Sequence, residues 1–555
     1  MNLLWKQAAL LSSLLIAAAQ VGAQAKPAAA TTAAGDPMLN AMKAELDRET
    51  SLLVLPGMRR PYFIEYRLDD FASYEAVANY GALTREESSH QRVVRVTVRV
   101  GDYTADSSSS RGDGSVQLAP EDNDPAALRS VLWIETDEAY KAALRAYAAK
   151  QATLQHFQGP ATADDFSAAA PVHAIEPLVS LDLDRAEWKR RITEASGLYA
   201  SDAGVSKDAA DVQFSTASVR GVAVNRYLVN TEGTQVRHGY TGYSASIDVG
   251  GQAADGMRLE RSNGSTAVLA VDLESWPAFR QRTLDSLKSY EALRVAPVVD
   301  AEDYHGAVLF GGDAAADVFS ELFLPNVEAD RPAVGTTART QGSYSSSLHA
   351  RVLPDFVNVK ENPLLTKFEG QRLLGAYTVD DEGIPAQSLD LVLSGKLMNY
   401  VIGREPVKDF PDSNGHGRAA PGAAAHSRSG VSIFTASDPL SDTAMMDRLV
   451  DLARRQGRDA YMVETLGGEL VPRLLYRVHI DGTRELVRGA VFDELDLRSL
   501  RSEIVAAGGK PYIDNELNAI PQTVIAPSVL FGDVAVKRAT EEQQKLPYYP
   551  PPPVE

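Results

Sequence analysis

The chain has 555 residues, 44% of them hydrophobic, and its 55 basic and 74 acidic residues give a formal charge of −19. This acidic balance disfavours nucleic acid and anionic membrane surfaces as partners, while the length and apolar content allow two or more cores. The absence of cysteine excludes disulfides, a thiol nucleophile and any thiolate metal ligand.

The first 25 residues have the pattern of a secretory signal peptide. Lys6 provides a short basic region, residues 8–19 form an apolar stretch, and Ala23-Gln24-Ala25 is a small-x-small cleavage site. The apolar stretch is too short to span a membrane comfortably, and no later segment reaches that length. We therefore predict a cleaved signal peptide at 1–25, a disordered leader at 26–37, a periplasmic or secreted protein, and no membrane span.

Helical and strand patterns alternate over the first half of the chain. Asp36 and Pro37 are suited to cap and begin an amphipathic helix. Residues 94–100 alternate valine with arginine and threonine, which is typical of a half-buried antiparallel strand. Further helices are predicted from Asp124 to about His156, over 185–200 and over 276–293. Turn residues predict hairpin tips at Glu232-Gly233 and Gly250-Gly251, and a strand pair around Asn263-Gly264.

This order of helices and hairpins, without regular βαβ spacing, predicts an α+β fold with large antiparallel sheets and flanking helices. We divide the chain after the leader into an N-terminal domain at 38–295 and a C-terminal domain at 296–540. The last residues, 541–555, end in LPYYPPPPVE and are predicted to be a Pro-rich tail.

The segment from Tyr304 to Pro325 combines a buried strand with a helix. Two consecutive glycines permit a tight turn, Asp313 is suited to cap the helix, and Pro325 is predicted to end it. One helical face is apolar, and the opposite face presents Ser320 and Glu321. Such a corner can carry a catalytic site or simply form part of a core, and the lack of a phosphate-binding glycine motif favours the core.

The most distinctive motifs lie in the C-terminal half. An acidic turn at 379–387 (VDDEGIPAQ) leads to strands predicted at 389–393 and 397–402 and then to a loop at 413–418 (SNGHGR). This order resembles the C-terminal signature of the TldD/PmbA metallopeptidase family, and the turn at 230–234 (NTEGT) agrees with it. The resemblance covers most of the chain after the signal peptide and implies the two-domain α+β fold of that family.

The resemblance also implies a zinc site whose ligands are missing here. Zinc-binding members carry H-E-x-x-x-H on the helix of the strand-glycine corner, and a later cysteine completes the site. The two histidine positions correspond to Ser320 and Pro325 in this sequence, and only Glu321 is retained. Serine is a poor zinc ligand and a proline side chain cannot bind metal. We therefore predict no cofactor, in a chain that resembles the zinc-lacking PmbA-like members.

The sequence indicates no alternative metal or catalytic site. No two of the nine histidines are three to five positions apart, although distant histidines can meet in space. His305 and His416 are predicted to be ordinary packing or surface residues. Asp380, Asp381 and Glu382 are predicted to form a charged turn that closes a cleft rather than a metal or acid-base cluster.

The resemblance implies a peptide or unfolded polypeptide as ligand, and a homodimer or a heterodimer with a zinc-bearing relative. The favoured hypothesis is a metal-free peptide-binding or partner subunit, in which Glu321 is a vestigial catalytic residue. The predicted cleft-lining residues are Asp380, Asp381, Glu382, Gly383, Pro385, Gln387, Asn414, His416 and Arg418. Two alternatives stay open: an active peptidase with a non-standard site, and a secreted peptide-binding scaffold without catalysis.

Overall fold

The computed structural model describes residues 35–108, 114–155, 163–300, 304–332, 339–540, 545–547 and 549. The predicted signal peptide, most of the leader and most of the Pro-rich tail lie outside these ranges. No helix within them is long and apolar enough to cross a membrane.

The N-terminal part is a seven-stranded sheet with four helices. Its strands are β1 (Pro61–Asn79), β2 (Ala82–Val100), β3 (Ser115–Leu118), β4 (His173–Ile175), β5 (Phe214–Asn230), β6 (Gln235–Gln252) and β7 (Arg258–Ala267). They are ordered β3-β2-β1-β5-β6-β4, with β7 also paired to β6, and only the β4–β6 pair is parallel. The helices are α1 (Pro37–Leu52), α2 (Pro125–Leu154), α3 (Arg185–Ser201) and α4 (Trp276–Val295), which confirms all four predicted helices.

The start of α1 shows how local sequence fixes the first core. The Asp36 carboxylate accepts hydrogen bonds from the backbone N–H groups of Met38 (3.0 Å) and Leu39 (3.1 Å), so it satisfies two donors that a helix N-terminus leaves free. Met38 and Leu39 are buried in one cluster with the inward valines of β2. Each such side chain contributes roughly 1.5–3 kcal/mol by leaving water.

Two predicted turns in this sheet are wrong. Gly250 and Gly251 lie inside β6, and Asn263-Gly264 lies inside β7, which is a single strand. Packing explains why glycine occupies both positions, since a Cβ on Gly250 would meet the Phe214 ring and one on Gly251 would meet the Tyr290 hydroxyl. The chain turns instead at 253–257, and glycine placement alone does not distinguish these cases.

The C-terminal part is built on an eleven-stranded mixed sheet. Its strands are β8 (Tyr304–Phe310), β9 (Val357–Glu361), β12 (Leu389–Leu393), β13 (Lys396–Leu397), β16 (Val431–Ala436), β17 (Ala460–Gly467), β18 (Val471–Val478), β19 (Arg484–Val487), β20 (Ala490–Asp493), β21 (Ile504–Glu516) and β22 (Gln522–Arg538). The order is β13-β12-β9-β16-β22-β8-β17-β18-β19, with β20 and β21 also paired to β22. Two further pairs of short strands form separate two-stranded sheets: β10 (Lys367–Phe368) with β11 (Gln371–Arg372), and β14 (Gly417–Arg418) with β15 (His426–Ser427). The predicted strand at 397–402 is reduced to β13, although Tyr400, Val401 and Ile402 are buried in the core.

Three helices complete this part: α5 (Asp313–Val318, Phe319–Phe323 and Leu324–Val327), α6 (Asp442–Gln456) and α7 (Leu497–Ser502). The middle segment of α5 is a π-helical turn, and α5 runs past Pro325 to Val327. The prediction that Pro325 ends the helix is therefore wrong. The π turn shifts the hydrogen-bond register, so Pro325 falls in the first turn of the new segment, where its missing N–H is tolerated. Gly312, rather than Asp313, occupies the cap position.

Candidate functional site

The two faces of α5 have different surroundings. Val318, Phe319 and Phe323 are buried in the largest core cluster, and the Phe319 ring stacks on Phe434 with 4.1 Å between centroids. These contacts fix the helix on the sheet. The polar face carries acidic side chains four residues apart, at Asp313, Asp317 and Glu321, which places them in one row along the helix.

A second acidic row faces the first. Asp514 and Glu516 alternate along β21, so both point to the same side of the sheet. The Ser320 hydroxyl donates a 2.8 Å hydrogen bond to Oε1 of Glu516, which ties α5 to β21. We call these five acidic residues the carboxylate cluster: Asp313, Asp317, Glu321, Asp514 and Glu516.

The carboxylate cluster is electrostatically unbalanced. Burial, followed by repulsion from Asp514, raises the pKa of Asp317 to about 8. Burial, followed by repulsion from Glu516, raises the pKa of Asp514 to about 7, and burial also raises the pKa values of Asp313 and Glu321. Within the described part of the chain, no Lys, Arg or His nitrogen forms an ion pair with any of the five. Two carboxyl groups therefore titrate close to neutral pH.

One arginine approaches this cluster without pairing to it. Arg261 of β7 is 5% exposed, and its Nε and Nη1 atoms have no hydrogen-bond partner among the described residues. Burial lowers the pKa of Arg261, and its strongest attraction is to Asp313, followed by Tyr476 and Glu464. A buried guanidinium with free donors is costly unless something accepts from it.

The donor set on α5 does not fit zinc. Ser320 is engaged with Glu516, Pro325 has no ligand atom, and the remaining donors are carboxylates spread along two rows. Among the described residues, three carboxylate or histidine ligand atoms come within 4.8 Å of one another only at Asp208, Asp211 and Glu291. That group lies in the N-terminal part, where Arg294 pairs with Asp211 at 2.7 Å and with Glu291 at 2.8 Å.

The acidic side chains of the 380–382 turn are hydrogen-bonded to nearby backbone groups. The Asp380 carboxylate accepts hydrogen bonds from the backbone N–H groups of Glu382 (3.0 Å), Ile384 (2.8 Å) and Gly417 (2.8 Å), which joins the 379–387 turn to the 413–418 loop. Glu382 accepts from the backbone N–H of Arg404 at 2.6 Å. Burial raises the pKa of Asp380 well above its ordinary value.

Asp381 joins the two parts of the protein. Its carboxylate pairs with Arg226 of β5, and it accepts from Nε of Arg418 at 3.1 Å and from the backbone N–H of Ala419 at 2.8 Å. Arg226 also pairs with Asp69 of β1 at 2.5 Å. Although burial opposes ionisation, Arg226 and then Arg418 hold the pKa of Asp381 far below its ordinary value.

The other predicted cleft residues surround this network. Gly383 is buried at a φ of +80°, whereas Pro385 and Gln387 are exposed. Asn414 is half-buried, and its amide bonds the backbone of Ile402 and Tyr400 at 2.8 Å each. The peptide-lining role of this set stays a prediction, since the side chains of Asp380, Asp381 and Arg418 are covered by the sheet they bind.

The two histidines near the predicted site, His416 and His305, lie in different environments. His416 is fully buried beside Asn414, and burial lowers its pKa to about 3, so the ring is neutral. His305 is exposed on β8, 3.7 Å from Asp533. Neither His416 nor His305 makes a hydrogen bond or ion pair with Glu321 among the described residues.

Sequence reasoning missed most of the carboxylate cluster. The spacing of Asp313, Asp317 and Glu321 was a readable signal of one acidic helix row. Nothing in the sequence indicated that Asp514 and Glu516, on a late strand, would face it, or that Arg261 would reach Asp313 from the other sheet.

Residues 304–538 match the family model of the PmbA/TldA metallopeptidase C-terminal domain. The resemblance to the PmbA/TldD family that the sequence motifs indicated is therefore confirmed over this C-terminal range. The matched range contains α5, the signature loops and all five residues of the carboxylate cluster. No curated protein sequence matches the chain.

Solved structures extend the likeness of fold to both parts of the chain. A proposed modulator of DNA gyrase from Thermotoga maritima is 15% identical, with a TM-score of 0.58 over 89% of this chain and 100% of its own. TldE from Thermococcus kodakarensis is 13% identical, with a TM-score of 0.58 over 89% of this chain and 99% of its own. A proposed modulator of DNA gyrase from Bacteroides thetaiotaomicron is 12% identical, with a TM-score of 0.60 over 90% of this chain and 98% of its own. The predicted α+β fold with large antiparallel sheets is confirmed.

Proposed function

We propose that this chain is a zinc-lacking PmbA/TldD protein that binds extended or unfolded peptide and acts as the partner subunit of a zinc-bearing relative in proteolysis. The observation that carries the proposal is the polar face of α5. By the family resemblance of the sequence, Ser320, which is bonded to Glu516, and Pro325 occupy the two histidine positions of zinc-binding members, and only Glu321 is kept. A helix with these residues retains the wall of a cleft without the metal chemistry.

An open strand edge supports the peptide-binding part of this proposal. From Pro511 to Glu516, β21 pairs only with β22 among the described strands, so its other edge has no strand partner in the described structure. An extended peptide can add to such an edge through backbone hydrogen bonds, with its side chains read by neighbouring groups. The carboxylate cluster lies beside this edge, because Ser320 of α5 contacts Glu516.

The proposal includes export. The first 25 residues have the basic, apolar and small-residue regions of a signal peptide, and a chain without cysteine folds without disulfides in any compartment. A fusion of residues 1–40 to a reporter that is active only outside the cytoplasm tests this part. Activity that disappears when residues 8–19 are deleted supports export, and equal activity with and without that stretch contradicts it.

The central experiment compares the chain alone with the chain plus a zinc-bearing relative. The protein from Lys26 onward is purified without a metal-binding tag, and a labelled unstructured peptide is followed by anisotropy and by cleavage. We expect saturable binding without turnover for the chain alone, and faster turnover by the mixture than by the relative alone. A mixture that cleaves no faster than the relative contradicts the partner role, and a lack of peptide binding contradicts the whole proposal.

Cleavage by the chain alone is the outcome that favours an active peptidase. Asp317 and Asp514 have pKa values of about 8 and about 7, and such a pair can supply a general acid and a general base at neutral pH. Asp317→Asn and Asp514→Asn would then each abolish turnover with folding unchanged. If cleavage survives both substitutions, it comes from elsewhere in the sample or the chain.

A further inference from the structure

We propose that the carboxylate cluster and the open edge of β21 form a subsite for basic side chains, so that the peptides this protein binds carry lysine or arginine at alternate positions. The inference rests on the proposed peptide-binding function and names the class of peptide. It is carried by uncompensated charge, by an unpartnered buried arginine and by the spacing of the carboxylates.

The charge argument starts from the lack of internal partners. Several half-buried and buried acids elsewhere in the protein form ion pairs, as Asp381 does with Arg226 and Asp330 does with His426. The five members of the carboxylate cluster have no such ion pair with any described residue. An external ammonium or guanidinium group placed between the two rows relieves their mutual repulsion and gains charge-assisted hydrogen bonds.

Arg261 provides the second, independent observation. Its Nε and Nη1 donors are buried without partners beside Asp313, at the end of the cluster where α5 begins. A peptide lying along the cluster presents backbone carbonyl oxygens, which are the acceptors that a buried guanidinium lacks here. One peptide can therefore place its basic side chains between the two acidic rows and accept hydrogen bonds from Arg261 with its backbone carbonyl oxygens.

The spacing of the carboxylates favours a peptide over a single metal ion. Acidic residues four apart on α5 are about 6 Å apart along the helix, and alternate residues of an extended peptide are about 6.6 Å apart. A row of this period matches side chains at every second position of a bound strand. A metal ion instead needs converging oxygens, and no three ligand atoms of the cluster come within 4.8 Å of one another in the described structure.

The test measures affinity for three labelled peptides of equal length. One has lysine at alternate positions, one has the same lysines in a contiguous block, and one has glutamine in their place. We expect the alternating peptide to bind about tenfold more tightly than the glutamine peptide and about threefold more tightly than the block, with an advantage that shrinks as salt is raised.

Substitutions locate the effect in the cluster. The double variant Asp317→Asn/Asp514→Asn keeps side-chain shape, and we expect it to lose at least about tenfold in affinity for the alternating peptide but little for the glutamine peptide. Exposed Asp438, which has no ion pair in the described structure, provides the matched control Asp438→Asn, expected to bind like the parent. A thermal melt of each variant checks folding.

The outcomes separate this inference from the proposed function. Equal affinity for all three peptides, or a double variant that binds like the parent, overturns the basic subsite and leaves peptide binding intact. Failure to bind any of the peptides removes the proposed function and the subsite together. Calcium, magnesium and zinc are tested alone by calorimetry, and tight binding that the double variant abolishes assigns the cluster to a metal ion and overturns the peptide subsite.

Discussion

Neutralising Asp317 should stabilise the protein at alkaline pH, because its carboxylate is held among like charges. The groups that face it are Asp313 and Glu321 on its own helix and Asp514 and Glu516 on β21. Asp317→Asn removes one charge from this set without changing the shape of the side chain. We expect the variant to be more stable than the parent above neutral pH, although most substitutions destabilise.

The magnitude follows from the pKa of Asp317, which rises from 3.8 to about 8 on folding. At about 1.4 kcal/mol per pH unit, this difference corresponds to about 6 kcal/mol, and solvent screening of a half-buried group reduces it to about 2 kcal/mol. Because the folded pKa is the higher one, the folded state holds more protons, and the stability that Asp317 contributes is present below about pH 4 and lost as the pH rises to about 8.

Urea unfolding at about pH 4.5 and about pH 8.5 measures this effect in the parent and in Asp317→Asn. The difference in unfolding free energy should be small at the lower pH and about 2 kcal/mol in favour of the variant at the higher pH. Asp438→Asn, an exposed substitution outside the cluster, should change little at either pH. The electrostatic reasoning is refuted if Asp317→Asn is equally stable at both values or is less stable than the parent at the alkaline one.

Three further outcomes are expected. Asp381→Asn leaves Arg226 and Arg418 buried with a weakened partner, and it should lower the unfolding free energy measured in urea by about 3 kcal/mol. A decrease below about 1 kcal/mol would contradict the role of this network in joining the sheets. The affinity for a basic peptide should increase from about pH 6 to about pH 8.5 as Asp514 and then Asp317 ionise among Asp313, Glu321 and Glu516, and a flat anisotropy titration would argue against their contact with the peptide. Elemental mass spectrometry should find far less than one zinc per chain, and a chelator should leave peptide affinity unchanged; stoichiometric zinc would point to ligands other than Ser320 and Pro325.

Local signals predicted most of the secondary structure, because a cap or an apolar period acts within one helix turn or one strand. Asp36 caps α1 as expected, and the valines of β2 are buried as their alternation indicated. Gly250 and Gly251 misled because their cause is tertiary: the Phe214 ring and the Tyr290 hydroxyl fill the space where side chains would be. A glycine pair at a turn and one under a packed ring look alike in sequence.

The candidate site could be predicted only in part. The sequence correctly singled out the exposed face of the helix around Ser320 and Glu321, which local periodicity determines. The facing acidic row was out of reach because 196 positions separate Ser320 from Glu516, and no local pattern sets the register of β21 against α5. Pro325 was also misjudged, since a π turn that absorbs a proline depends on the surrounding core rather than on the helix itself.

The division of α5 into two faces explains how the family fold can persist without the zinc ligands. Phe319 and Phe323 pack on Phe434 in the central core, so the helix is required for folding whatever its polar face carries. Ser320 and Glu321 lie on the other face, where a substitution changes the chemistry at little cost to the core. The polar face is then an acidic wall beside the edge of β21 that has no strand partner among the described residues. Under the function that we propose, this wall selects peptides by charge without cleaving them, which is the property that a partner subunit needs.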